Sequence, residues 1–65
     1  MTDRDTSSVF HREMLDADHS RNFSKPWLFE NHFGIQGFDS EDEACAMQRR
    51  YRAANGFDPI TGERL

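Results

Sequence analysis

Three histidines and one cysteine, His11, His19, His32 and Cys45, are the imidazole and thiol groups of this 65-residue sequence. A structural zinc site takes such ligands in pairs, as in C-x2-C with H-x3-H, so that each pair sits on one turn. None of the four has a neighbour at that spacing, so no metal is expected. Cys45 stands near the start of a helix-forming stretch, where a thiolate is favoured. Glu41, Asp42 and Glu43 crowd that position and oppose a second negative charge, and no histidine lies close in sequence to act as a base. Carboxylates abound, but so short a chain lacks the walls to dry a cleft and shift their pKa values. The chemistry-bearing residues therefore read as those of a protein without catalysis and without a cofactor.

Binding is better supplied. Five of the eight aromatic residues, Phe23, Trp27, Phe29, Phe33 and Phe38, fall between positions 23 and 38. Aromatic side chains dominate small cores and interfaces alike. Such a block is first of all core, with Trp27 the best candidate for an exposed anchor because tryptophan is enriched in binding hot spots. Arg49, Arg50 and Arg52 form a basic cluster, and Asp39, Glu41, Asp42 and Glu43 an acidic run. Charge runs are mostly solvated helix faces. They can also steer a charged partner onto the surface. The candidate protein-binding residues are Trp27, Phe29, Phe33, Glu41, Asp42, Arg49 and Arg50.

The elements that must carry these residues are read from pattern. Only Val9, Ile35 and Ile60 are β-branched aliphatics, and no six-residue window alternates cleanly, which predicts a chain poor in strands. Residues 40–56, SEDEACAMQRRYRAANG, carry the strongest helix signal. Ser40 with Glu43 makes a capping box, acids fill the first turn, arginines the last, and Gly56 can take the left-handed conformation that stops a helix. Ala44, Met47, Tyr51 and Ala54 recur at helical spacing. A first helix capped by Thr6, Ser7 or Ser8 would carry Phe10, Met14 and Ala17 on one face and fray over residues 18–22. A short aromatic helix capped by Ser24, with Pro26 in its first turn, would carry Trp27, Leu28, Phe29 and Phe33 and end at Gly34. Asp58-Pro59 begins a turn that Gly62 ends.

Phe38-Asp39-Ser40, followed by the acids and Ala44, resembles the helix start of AP2-type DNA-binding domains, which often read F-D-[ST] and then Glu-Glu-Ala-Ala. The family's tyrosine falls at Gln48 here, and the sequence shows no counterpart upstream of the three strands that read DNA in that family. The resemblance would imply DNA binding by a sheet. It rests on one short stretch, and the family is not assigned.

Composition bounds the remainder. The net charge is -4, 35% of residues are apolar and 31% charged, with seven arginines against a single lysine, Lys25. A mean hydropathy of -0.91 and a pI near 5.1 disfavour nonspecific nucleic-acid binding, and arginine-rich pairing suggests specific ion pairs. No apolar run approaches a membrane span. The thin apolar inventory predicts marginal stability, relieved by a larger protein partner or by homo-oligomerisation. One cysteine fits a reducing compartment, so a cytoplasmic location is the default.

The expectation is thus a mostly α protein: one small domain over 1–65, two longer helices and a short aromatic one, with 1–6 and 58–65 flexible. Its expected function is non-enzymatic protein binding, as an inhibitor, adaptor or minor subunit, a type common among accessory proteins of phages and mobile elements. The alternative is a nucleic-acid-associated protein that contacts phosphates through the arginines of the last helix.

Overall fold

The computed structural model describes residues 4–65, and the expected flexibility of 1–6 falls partly on residues outside that range. Three strands, β1 (Ser8–His11), β2 (Trp27–Asn31) and β3 (Gly34–Phe38), form one antiparallel sheet in the order β1-β2-β3. A 3-10 turn at Arg12–Met14 and a single-turn helix, α1 (Ala17–Ser20), lie in the long connection from β1 to β2. The long helix α2 (Glu41–Ala54) follows β3 directly and packs on one face of the sheet. The expected mostly helical, three-helix arrangement is overturned: the molecule is a three-stranded sheet with one main helix.

Two of the three expected helices do not form. Aromatic side chains are as good in strands as in helices, and the aromatic block is a β-hairpin. Trp27 pairs with Phe38, Phe29 with Gln36 and Asn31 with Gly34. The turn is His32-Phe33, and the Asn31 side chain accepts the Phe33 amide at 2.8 Å. That local bond is an Asx turn, available to asparagine without any tertiary support. Pro26 starts no helix. It sits at the mouth of β2, where its carbonyl accepts the Arg12 amide at 2.9 Å and its missing N–H costs nothing. The expected first helix gives way to β1, in which Val9 pairs with Phe29 and Phe10 with Leu28.

The last helix forms as its sequence predicts. Ser40 Oγ accepts the Glu43 amide at 3.3 Å, and Glu43 reaches back to the Asp39 amide at 3.2 Å, one residue before the cap. The helix ends ahead of Gly56, whose φ of 81° needs a residue without a Cβ.

Alternation divides the sheet. Val9, His11, Trp27, Phe29, Gln36 and Phe38 face α2, where Phe29 meets the Tyr51 ring edge-on with centroids 5.6 Å apart. Phe10, Leu28 and Ile35 share the opposite face. There the Arg12 guanidinium donates to the carbonyls of Phe23 (3.2 Å) and Ser24 (3.4 Å) and holds the connection in place. Among the described residues, Leu28, Phe29 and Ala44 are the fully buried apolar ones. No helix among the described residues is long and apolar enough to cross a membrane.

Candidate interaction site between the hairpin and α2

The helix α2 lies over β2 and β1 more than over β3. Its two flanks are consequently different. On the β1 flank the terminal segments close over it. Arg52 Nε donates to Asp5 Oδ2 at 2.8 Å, with the arginine side chain 15% and the aspartate 3% exposed. Ser7 donates its hydroxyl and its amide to the same carboxylate. Gln48 donates to the Ser7 carbonyl at 3.2 Å. The Arg52 guanidinium also donates to the carbonyls of Pro59 (3.3 Å) and Ile60 (3.1 Å). Gly62, at φ 75°, lies flat on this guanidinium, and a Cβ there would stand 3.1 Å from its Cζ. Residues 58–65, expected as a flexible tail, are thus laid against α2 as a turn in which Asp58 accepts the Ile60 and Thr61 amides. Burial alone would raise the Asp5 carboxyl. The bonds from Ser7 and Arg52 outweigh it and hold the group below its ordinary value.

On the β3 flank the helix and strand stand apart and leave an open groove of about 590 Å³. Phe29 floors it, Gly34 and Gln36 form the strand wall, and Met47, Arg50 and Ala54 form the helix wall. Those three helix positions, with Glu43 one turn earlier, share one stripe of α2. The hairpin tip closes one end. His32 Nδ1 is hydrogen-bonded to the Tyr51 hydroxyl at 2.9 Å, and the His32 ring leans on Phe33 at 4.1 Å. Phe33 itself is 80% exposed.

The structure brings together Phe33 and Arg50 on the rim of the groove, with Phe29 beneath. The other expected site residues lie elsewhere. Trp27 is half-buried at the far end of the sheet, edge-on to His11 with centroids 5.1 Å apart. Glu41 and Asp42 are exposed in the first turn of α2, and Arg49 is exposed outside the groove. Arg52, expected to act with Arg49 and Arg50, is the buried partner of Asp5. Sequence reasoning missed Met47 and Gln36 as groove residues. Met47 stood on the predicted buried stripe of α2, but only the hairpin shows that this stripe is left half-uncovered.

The strands expected to be missing upstream of α2 are present, yet the sheet is not basic. Its face away from α2 exposes Glu30, Lys25 is paired with Asp39 at 2.8 Å, and Arg12 is spent on backbone carbonyls. Among the described residues, no group of three or more His, Cys, Asp or Glu side chains is arranged to hold a metal. His11, His19 and His32 are instead engaged with Trp27, Asp16 and Tyr51 respectively. Comparison of the chain with protein-family models, with curated proteins and with solved structures finds no match.

Proposed function

We propose that this chain is a non-enzymatic protein-binding module whose contact surface is the hairpin tip and the groove between β3 and α2. One observation carries the reading: a large aromatic residue, Phe33, stands 80% exposed beside an apolar groove rimmed by the cationic Arg50. An aromatic anchor next to an arginine is the composition that interface hot spots favour. Apart from the His32 ring against it, Phe33 at this tight turn is left to solvent, whereas at an interface a phenylalanine brings large apolar area at little conformational cost.

Support for this reading over nucleic-acid association comes from the cations. Arg52 is committed to Asp5, Lys25, Arg12 and Arg21 are engaged within the chain, Arg4 donates to the Thr61 carbonyl, and Arg64 lies over the Phe57 ring. Arg49 and Arg50 alone are too few for the phosphate contacts that affinity requires.

The test is quantitative capture by three baits: the parent, Phe33→Ala and Arg21→Glu. A genuine partner is lost with Phe33→Ala and kept with Arg21→Glu, which alters charge at a distant surface. A partner retained equally by all three places the site elsewhere.

A further inference from the structure

The free edge of β3 has a definite hydrogen-bonding register, and it follows from Pro26. The Arg12 amide bonds the Pro26 carbonyl, so 12 and 26 are a hydrogen-bonded pair. In an antiparallel ladder such pairs alternate with non-bonded ones. Leu28 and Glu30 therefore bond to β1, and Trp27, Phe29 and Asn31 bond to Phe38, Gln36 and Gly34 of β3. That leaves the N–H and C=O groups of Ile35 and Gly37 pointing outward from the sheet. Sheet edges are normally blunted by a charge, a proline or a bulge. β3 reads GIQGF and has none of these.

We propose that β3 is the seam of a symmetric dimer, in which β3 of a second copy adds antiparallel about Gln36. In that register Ile35 faces Gly37 of the second copy, and Gly37 faces Ile35. These are the residues whose backbone groups point outward on both chains, so each pair exchanges two bonds. A strand with its open groups placed symmetrically about its centre is self-complementary, as a two-fold interface must be.

Charge supports a second copy rather than a foreign strand. The two-fold sets Gly34 of one chain beside Phe38 of the other, so the α2 helices run antiparallel across the seam. On the groove side of α2, Glu43 lies near the Phe38 end and Arg50 near the Gly34 end. The symmetry brings each Arg50 toward Glu43 of the second copy. A parallel addition through the same edge turns the second copy over and puts its α2 on the opposite face of the sheet, where this Arg50–Glu43 pairing is lost. Five residues of edge and one groove wall are a small contact compared with the ~1,600 Å² of a standard interface, so the dimer is a weak one. The dimer shares Arg50 and the β3 wall with the groove of the binding reading above, but it rests on the edge register of β3 and not on Phe33, so Phe33→Ala should leave dimerisation unchanged while abolishing partner capture.

Sedimentation equilibrium on the full chain over a hundredfold dilution, with amide exchange at both ends of the range, tests it. The expected result is a monomer–dimer equilibrium in which the Ile35 and Gly37 amides gain protection with concentration, while Val9 and His11 on the opposite edge do not. Ile35→Pro removes an outward amide that β2 does not use, and should give a folded monomer. Arg50→Glu should weaken dimerisation about tenfold, and adding Glu43→Lys should restore it. A monomer at every concentration overturns the proposal, and so does protection at Val9 in place of Ile35. A dimer unaffected by Ile35→Pro and Arg50→Glu overturns it equally.

Discussion

The two flanks of α2 are built from the same fourteen residues and treated in opposite ways. Toward β1, a half-buried polar cluster of Asp5, Ser7, Gln48 and Arg52 is mutually bonded, and it pins both terminal segments to the helix. Toward β3, an apolar stripe of Met47 and Ala54 looks into an open groove. Ordinary amphipathic logic would cover the apolar flank and expose the polar one. On the proposed reading, the inversion separates the side where the molecule is held together from the side where it would bind a partner. Burial and bonding place the largest expected losses at Phe29 and Arg52, and substitutions on the exposed β3 flank are expected to leave the chain folded.

The sharpest way to break that comparison is at the closed flank. Arg52→Met should cost about 3–5 kcal/mol, because it leaves the Asp5 carboxylate buried without its cation and frees the carbonyls of Pro59 and Ile60. Urea denaturation followed by circular dichroism would show this. A loss below about 1 kcal/mol would mean that the pair behaves as an exposed surface bridge. Phe29→Ala, on the floor of the sheet, should cost a comparable 3–5 kcal/mol through transfer and cavity together.

Acid acts on the same flank. The Asp5 carboxyl is held below its ordinary 3.8 in the folded chain. A depressed carboxylate contributes stability that is fully present above its unfolded pKa and disappears as pH falls through the folded one. Asp58, whose side chain accepts the Thr61 and Ile60 amides of the adjoining turn, is lowered in the same direction. The melting temperature should therefore be flat near neutrality and fall below pH ~4, and the fall should be shallower in Arg52→Met, where the bond and charge from Arg52 that help lower Asp5 are already gone.

A smaller effect tests the helix itself. Ser40→Ala should cost about 1 kcal/mol through loss of the cap on the Glu43 amide. An unchanged melt would show that the first turn is held from Asp39 alone. This helix was fully legible because its signals are local: a cap, a charge gradient and a stop all lie within seventeen residues of one another. The hairpin carried local signals as well. Asn31 and Gly34 flank a two-residue turn, and Trp27, Phe29, Gln36 and Phe38 alternate toward one face. They were obscured by the scarcity of valine and isoleucine, although aromatic residues satisfy a pleated sheet equally well. Arg52 was illegible for a different reason. Its partner lies 47 residues away in a polar N-terminal segment, and nothing local distinguishes it from Arg49 or Arg50.

The smallest expected effect on stability separates the two flanks most cleanly. Phe33→Ala removes a ring that is 80% exposed, so little buried area is lost. The tip keeps its geometry without that ring, because the turn is held by the Asn31 carboxamide on the Phe33 backbone amide and by the His32–Tyr51 bond. The change should therefore stay within about 0.5 kcal/mol, as for other surface substitutions. Partner capture, by contrast, should be lost, since a truncated aromatic anchor costs about 2 kcal/mol or more at an interface. A stability loss well above that bound would mean that Phe33 packs on the hairpin and closes the groove, making the β3 flank a second closed side. A variant that is stable and still captures its partner would leave the groove open but put the anchor at another of its walls, where Met47→Ala is the next substitution to make.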